Sequence, residues 1–500
     1  MVDSDRLQKL KELQKLGIDP YPGKAFDRTH QASEIKDNFP KLDGKKVSLA
    51  GRIMSIREHG ALAFADLEDY SGKIQLWLSE DGLKKDYDLL KHLERGDFLG
   101  VQGIVSKTKR GEISVKALGL TLLSKSLRHL PTEWYGLKDV EERYRQRYAD
   151  LIINKDVRDI FLKRTQILHE MRKYLDEQGF VEVETPIIQA IYGGAAAKPF
   201  KTFINDLKMD AFLRISDELH LKRLIVGGFE KVYEVSKDFR NESIDTQHNP
   251  EFTQIEFYEA YADYEKLMKR TEEMLVRIVK RVNDGELKVK YGDVTLDFTP
   301  PLPRVKFRDI VLKETGIDLN KESTEEKLLK AIKAKKLKLD LKGIAGYGGI
   351  SDKLYKEYAR PKLIQPTFLL DYPTEMIPLA KRKDNDKTKI ATMQLIANGF
   401  EVCKAYNELN DPIDQRQRME EEVKLMARGH EEAHMLDEDF IRALEYGMPP
   451  TAGWGMGIER LSMLLTNQQS MKEVILFPFM RVAEEEKHAH TKEKKPKSKK

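Results

Sequence analysis

An α+β chain, with a small β-barrel ahead of an antiparallel sheet flanked by helices, is the architecture this sequence predicts. Three observations carry that expectation. The chain has 500 residues, more than one hydrophobic core supports, so two or more domains are required. Over 46–124 short strand patterns recur between glycines, about five of them in roughly 80 residues, as a small barrel of the OB type demands. Beyond residue 180 strands and helices follow one another without regular βα alternation, which argues against a doubly wound parallel sheet.

Each element has its own signal. Residues 5–16 set Leu7, Leu10, Leu13 and Leu16 at helical intervals among lysines, and Gly17 and Pro20 end the pattern. In the barrel region Ile74, Leu76 and Leu78 alternate with Gln75 and Trp77. Ile113, Val115 and Ala117 likewise face away from Glu112, Ser114 and Lys116. Such a barrel either binds single-stranded nucleic acid on its outer face or merely packs on its neighbour. A polar, arginine-rich link follows at 143–150. Phe161, Leu168, Met171 and Leu175 then mark one face of a long helix that Gly179 ends, and a strand at 181–185 is stopped by Pro186.

Bulk properties exclude several classes. Hydrophobic residues make up 40% and charged residues 34%, the balance of a soluble, highly charged globular protein. No apolar run reaches the length of a membrane span and the N-terminus lacks a signal-peptide pattern, so a cytoplasmic location without membrane contact is expected. The single cysteine, Cys403, excludes an intramolecular disulfide and suits a reducing compartment. A net charge of +4 neither demands nor forbids a nucleic-acid partner. The lysine-rich end, 487–500, holds Glu493 as its one acid. It reads as a solvated, disordered tail, with unspecific attraction to RNA phosphates as the second reading.

Two segments carry the chemistry. Strand patterns at 232–239 and 252–261 are joined by a polar connection, 240–251. By the period of two, Phe252, Glu256 and Tyr258 share a face. Burying a lone glutamate there is costly unless it is paired, so the pattern suggests a ligand-lined floor where Glu256 meets a cation. An ordinary sheet with a solvated face is the other reading. At 451–466 a strand enters a helix, with Gly453, Gly455 and Gly457 leaving one side bare for close approach, and Arg460 at the junction suits a phosphate. Phosphate loops of the Walker or Rossmann type are absent from the sequence.

Together the two segments have a family likeness. Phe239-Arg240-Asn241-Glu242 followed by His248-Asn249-Pro250-Glu251-Phe252 resembles motif 2 of the class II aminoacyl-tRNA synthetases. Gly453-Trp454-Gly455-Met456-Gly457-Ile458-Glu459-Arg460 resembles their motif 3. The helix before Gly179 and the strand reaching Pro186 resemble motif 1, which builds the dimer interface in that family. Within the class, Gly193-Gly194-Ala195-Ala196-Ala197-Lys198-Pro199-Phe200, Tyr406-Asn407-Glu408-Leu409-Asn410-Asp411-Pro412 and the segment 444–452 are similar to the compact, bacterial-like lysyl-tRNA synthetases. The likeness is nearly collinear from residue 5 to about 482 and leaves out only the charged tail.

That resemblance implies a homodimer that joins L-lysine to tRNA(Lys) using ATP and Mg2+. Arg240 would hold the α-phosphate and the substrate carboxylate. Phe252 would stack on adenine with Arg460 on the opposite face, while Glu242 and His248 touch the adenine and the phosphate tail. Glu218 and the carbonyl of Gly194 would take the α-amino group. Glu408 and Tyr258, helped by Tyr406, would take the ε-amino end, and Glu256 completes the acidic set. In the barrel, Phe64, Gln75 and Glu112 match positions that read the anticodon, although a phenylalanine on a strand also suits a core.

Departures cluster at the site. Ser216-Asp217-Glu218 stands where the family usually has Ala-Pro-Glu, and Ser243 stands for a glycine. Lys404 replaces an asparagine that meets the substrate carboxylate. Of two metal-binding glutamates one is Gln394, while Glu401 is kept, and the motif 3 aspartate is Glu459. Lost negative charge at 394 and gained positive charge at 404 suggest that an ammonium does part of a magnesium ion's work. The alternative is a plain Lys404–Glu401 pair, and a third reading is altered amino-acid choice. A non-catalytic tRNA-binding paralogue is disfavoured because Arg240 and Arg460 are both present. Expected boundaries are a helical segment 1–45, an OB-fold anticodon-binding domain 46–135, a linker 136–150, a class II catalytic domain 151–483 and a tail 484–500.

Overall fold

Alternation of apolar and polar residues closes the barrel of the first unit. Strands β1 (Lys46–His59), β2 (Leu62–Glu68), β3 (Lys73–Ser79), β4 (Phe98–Lys107) and β5 (Ile113–Ser124) pair in the order β1-β2-β3-β5-β4, with the parallel β3–β5 pairing among them. Ala63, Ala65, Leu67, Ile74, Leu76, Leu78, Val115 and Ala117 point inward and are buried. Helix α1 (Ser4–Lys15) is capped by the Asp3 carboxylate, which accepts from the N–H groups of Asp5 and Arg6. Of the four leucines read as its face only Leu13 enters the core, and Leu7 and Leu16 stay exposed. A buried Arg6 docks the helix instead, donating to the carbonyls of Ser126 at 3.0 Å and Arg95 at 2.9 Å.

The computed structural model describes residues 2–60, 62–131, 137, 139–428 and 435–482, in two units, Met1–Lys138 and Asp139–Lys500. The expected domain boundary at 135 and the tail 484–500 lie outside the described residues. No described helix is long and apolar enough to cross a membrane.

The second unit is built on an eight-stranded sheet. Its strands are β6 (Val181–Glu182), β7 (Lys231–Phe239), β8 (Glu251–Ala260), β9 (Arg304–Lys306), β10 (Thr367–Leu370), β11 (Thr392–Ala397), β12 (Phe400–Asn407) and β13 (Thr451–Gly457), in the order β9-β10-β11-β12-β13-β8-β7-β6. The middle pairings are antiparallel, as expected. The two end pairs, β7–β6 and β9–β10, are parallel, and long crossovers serve both. The strand expected at 181–185 contributes only its first two residues to the ladder.

One face of this sheet is apolar. Ile255 and Phe257 of β8, Cys403 and Ala405 of β12, and Trp454 and Met456 of β13 pack against α2 (Lys155–Glu177), α4 (Tyr264–Val282) and α5 (Ile458–Leu465). Helix α3 (Glu218–Val226) precedes β7. Phe257 stacks on Trp454 at 4.8 Å between ring centres, and the indole N–H donates to Thr271 Oγ1 at 2.9 Å. Helix α2 buries Ile167, Met171, Tyr174 and Leu175, a face turned slightly from the one predicted, with Phe161 only half-buried.

The arginine-rich segment expected as a link is folded into the second unit as two short helices, Val140–Arg145 and Arg147–Ile153. Arg147 is fully buried. It donates to Asp150 Oδ2 at 2.7 Å and to the carbonyls of Leu476 and Lys472 at 3.1 and 2.9 Å. A guanidinium satisfied by one carboxylate and two carbonyls reads, in sequence, like a solvated charge.

Candidate active site

The opposite face of the sheet is charged, and period two puts it there. Glu234, Ser236 and Asp238 of β7 stand across from Glu256, Gln254 and Phe252 of β8. Glu256 in turn faces Gly455, and Tyr258 faces Gly453. Lys404 and Tyr406 of β12 flank the same two glycines. Above this floor lies a cavity of about 530 Å³ bordered by Gly194, Glu218, Arg240, Phe252, Glu256, Tyr258, Glu401, Lys404, Tyr406 and Arg460, with Glu242 and His248 at its rim. The expected residues of the second unit therefore converge on one cavity, except that Glu408 and Gln394 are not among those bordering it; Glu408 reaches the space over Gly453 beside Tyr258, and Gln394 donates to Glu401. Glycine at 453 is required for this packing. A Cβ there would collide with the Glu408 carboxylate and the Tyr258 ring.

One end of the cavity is acidic. Glu218, at the first turn of α3, accepts from the Tyr406 hydroxyl at 2.7 Å and from the Lys222 ammonium at 2.6 Å. Lys222 is fully buried and also pairs with Glu408, leaving Glu408 Oε1 without a hydrogen bond. Burial works against the Lys222 ammonium, but Glu218 and Glu408 hold its pKa above the usual lysine value. Gly194 has φ of +88°, and a Cβ there would press on Ser216 Oγ and Glu218 Cβ, so this backbone lies directly against the Glu218 side chain.

The acidic side chains are held by neighbouring hydroxyls and amides. Among the described residues Glu256 forms no ion pair. It accepts from Ser216 Oγ at 3.0 Å, from the Tyr258 hydroxyl at 2.9 Å and from the Gln254 amide. The neighbouring cations are already engaged, Lys222 as above and Arg214 with Glu234 and Asp238. The Tyr258 and Tyr406 hydroxyls donate to Glu256 and Glu218, while the Tyr258 ring and the Glu408 carboxylate both border the space over Gly453. Burial, then Glu218 and Asp238, push the Glu256 carboxyl above the ordinary carboxylate range.

The other end is cationic. Arg240 hangs from the end of β7 by long contacts to the carbonyl of Ile215, 3.3 and 3.4 Å, with its guanidinium 5.0 Å from the Phe252 ring centre. Arg460 touches the carbonyl of Glu401 at 3.4 Å. Lys356 and Arg360 border the same region, and neither was singled out in the sequence. A π-helical turn, Tyr355–Ala359, brings them there, and no motif marks it. Glu401 is the acid among them. Burial opposes its charge, yet Arg460, Lys404, Lys356 and Arg360 together hold its pKa below the usual value. Glu459, in place of the motif 3 aspartate, ties the sheet together by accepting from the N–H of Thr253 and from Arg164.

The plain Lys404–Glu401 pair is not formed. Glu401 accepts from the Gln394 amide, whose oxygen accepts from the Tyr372 hydroxyl. Lys404 has no ion pair within 4.0 Å among the described residues and faces the cavity, 5.7 Å from the Tyr406 ring centre. An amide bonded at both ends and one carboxylate amid four cations do not fit a resident divalent ion. Among the described residues no three-ligand group includes Glu401.

In the first unit, Phe64 is half-buried on the outer face, with its ring centre 6.4 Å from that of Trp77, so the core alternative for Phe64 is wrong. Gln75 lies beside them on the same face, its amide oxygen accepting from Ser114 Oγ at 2.8 Å, and Glu112 is exposed two residues before Ser114. Lys116 stands 5.6 Å from the Trp77 ring centre. Trp77, paired with Phe64 across the two strands, shares this face as the alternation requires.

Comparison with known proteins agrees with this layout. Residues 47–123 match the OB-fold nucleic acid binding domain, and residues 139–481 match tRNA synthetases class II (D, K and N). A lysine–tRNA ligase of Thermoanaerobacter pseudethanolicus is 49% identical over 477 residues, 95% of either chain. One from Moorella thermoacetica is 50% identical over 481 residues, 96% of this chain and 98% of its own. One from Clostridium botulinum is 50% identical over 484 residues, 95% of each. Likeness of this extent, running through both units and through every segment that lines the cavity, places the chain in the class II tRNA synthetases, within the family of lysine–tRNA ligases.

Proposed function

We propose that the two ends of the cavity divide one reaction between them, the acidic end seating lysine and the cationic end seating ATP. Lysine–tRNA ligation is the activity of this chain, with ATP as substrate. The observation that carries the division of labour is the charge layout: Glu218, Glu256 and Glu408 with one internal ammonium, Lys222, opposite Arg240, Arg360 and Arg460, which form no ion pair within 4.0 Å among the described residues.

Lysine brings two ammonium groups. The α-ammonium is assigned to Glu218 and the carbonyl of Gly194, and the ε-ammonium to Glu408 Oε1 over Tyr258, with Glu256 between them. The lysine carboxylate then lies toward Arg240 and Lys404. Its oxygen attacks the α-phosphorus in line, forming lysyl-adenylate as the bond to pyrophosphate breaks. The terminal ribose hydroxyl of tRNA(Lys) next attacks the carbonyl, and AMP leaves. No protein nucleophile takes part; positioning and cancellation of charge do the catalysis. Adenine is assigned to the slot between Phe252 and Arg460, with Glu242 and His248 at its edge and at the phosphate tail. The test is lysine-dependent exchange of labelled pyrophosphate into ATP across several amino acids. Equal exchange with ornithine or arginine would sink the assignment of the acidic end.

The Lys404 ammonium takes the charge that a metal ion held between two carboxylates would supply. The observation behind this is the free, cavity-facing Lys404 beside a Gln394 already bonded at both ends. Losing such a charge-assisted contact costs about 1.5–3 kcal/mol, so Lys404→Asn is expected to slow exchange roughly 10–100-fold. The pair Gln394→Glu with Lys404→Asn is expected to recover activity and to hold at least one more Mn2+ in the ATP complex than the wild type. An unchanged metal count refutes the exchange of roles.

On the barrel, Phe64 and Trp77 are assigned as a stacking platform for anticodon bases, with Gln75 and Glu112 as polar readers. Removing either ring is expected to raise KM for tRNA by the equivalent of about 1–3 kcal/mol and to leave pyrophosphate exchange unchanged. Homodimer formation is supported by the exposed apolar side chains Val181, Ile187, Ile188, Phe203 and Phe229, which lie in or near the motif 1 strand and the segments that follow it.

A further inference from the structure

Asp217 stands at the N-terminal cap of α3 and does not cap it. The neighbouring Ser216 Oγ accepts from the N–H of Glu218 at 3.1 Å. Both carboxylate oxygens of Asp217, a fully buried side chain, are without a hydrogen-bond partner. They are directed at Asp238 and Glu256, and one ligand oxygen from each of the three residues lies within 4.8 Å of the others. Asp238 Oδ2 is likewise unpartnered and buried.

The surroundings do not compensate this charge. Arg214 is engaged at 2.7 Å by Glu234 and at 3.3 Å by Asp238, and the Arg240 guanidinium also acts on Asp238, which leaves Asp217 and Glu256 without an ion pair among the described residues. Glu256 receives neutral donors only. Four carboxylates, Asp217, Glu234, Asp238 and Glu256, thus face two guanidiniums, Arg214 and Arg240. Burial, reinforced by Glu256, Asp238 and Glu234, pushes the Asp217 carboxyl well above its ordinary range, with Arg214 opposing. An acid left unpaired in the interior costs free energy unless something positive joins it.

We propose that Asp217, Asp238 and Glu256 form a buried binding site for one divalent cation of the hard, oxygen-seeking kind. The donor set is all carboxylate oxygen, which suits Mg2+, Mn2+ or Ca2+ and not a thiolate- or imidazole-seeking metal. The spacing suits it too. Metal–oxygen distances of about 2.1 Å for Mg2+ and 2.3–2.6 Å for Ca2+ let one ion bridge oxygens up to roughly 4–5 Å apart. The ion braces the floor under Glu256 and the first turn of α3, where Glu218 begins. It is separate from the Gln394–Glu401 corner and binds without ATP or lysine.

The test uses the full chain without ATP or amino acid, with Mn2+ as the probe and free Mn2+ followed by its electron paramagnetic signal. One Mn2+ per chain is expected, displaced by Ca2+, retained in Glu401→Gln and weakened at least tenfold in Asp217→Asn. Mn2+ is also expected to raise the melting temperature of the wild type and not of Asp217→Asn. A wild-type chain that binds neither Mn2+ nor Ca2+ in the absence of ATP overturns the proposal without recourse to any variant. Binding that is undiminished in Asp217→Asn, or lost in Glu401→Gln instead, overturns it as well.

Discussion

Replacing Arg240 with alanine is expected to lower lysine-dependent pyrophosphate exchange by about 10²–10³-fold, the effect of removing one preorganised donor from a site where negative charge develops. The side chain is suited to that role by how little holds it. Its contacts to the Ile215 carbonyl are long, and its guanidinium lies over Phe252 at the mouth of the cavity. Burial and the neighbouring Arg240 and Arg360 charges lower the pKa of Arg460, the cost of crowding cations that await a polyanion. Loss of Arg240 removes an interaction that strengthens as the α-phosphate becomes pentacovalent, so kcat falls more than the KM for ATP rises. Arg240→Lys keeps the charge but not the planar fork and should recover only part of the rate. The half-buried position predicts little change in melting temperature. If Arg240→Ala exchanged pyrophosphate within tenfold of the wild type, the cationic end would not be where the α-phosphate sits.

Much of this arrangement was legible in the chain, because β-strands write their faces in alternate residues. Phe252, Glu256 and Tyr258 fall on the cavity side and Ile255 and Phe257 on the core side, as the period of two requires. The bare glycines opposite them were equally plain. Hidden residues were those whose meaning lies in a distant partner. Lys222 sits in α3 among leucines and reads as a solvated lysine, yet its second partner, Glu408, arrives from just past the end of β12, far along the chain. Lys356 and Arg360 depend on a single π-helical turn that no spacing announces. Arg147 was read as linker for the same reason: its partners are carbonyls near residue 475, invisible to local pattern. The departure at Asp217 was visible as a letter, but its burial against two other acids was not.

Lys222→Met is the change expected to cost the fold most. The ammonium is wholly buried, bonded to Glu218 at 2.6 Å and paired with Glu408, and it lies between the Tyr406 and Phe440 rings at 5.7 and 5.8 Å from their centres. Methionine matches the stem in volume, so packing is nearly preserved and the loss is electrostatic. Two carboxylates are then left facing each other in the interior with the Tyr406 hydroxyl as their remaining strong donor. Breaking a buried pair by removing one partner costs about 3–5 kcal/mol, and here a single removal breaks two. The loss is open to repair by the substrate. Lysine's ammonium groups are assigned to these same carboxylates, so saturating lysine should raise the melting temperature of Lys222→Met by more degrees than that of the wild type, and norleucine, which lacks the ε-ammonium, should do so far less. Acid should narrow the gap between variant and wild type. Burial pushes the Glu408 carboxyl up while Lys222 holds it down, so without Lys222 its pKa climbs further above the unfolded value. A carboxyl whose folded pKa is raised costs stability above its unfolded pKa and ceases to do so as the pH falls through that value and the group is protonated in both states. A variant that melts with the wild type at neutral pH, or that gains nothing extra from lysine, would show that Glu218 and Glu408 are not the seat of the substrate's ammonium groups.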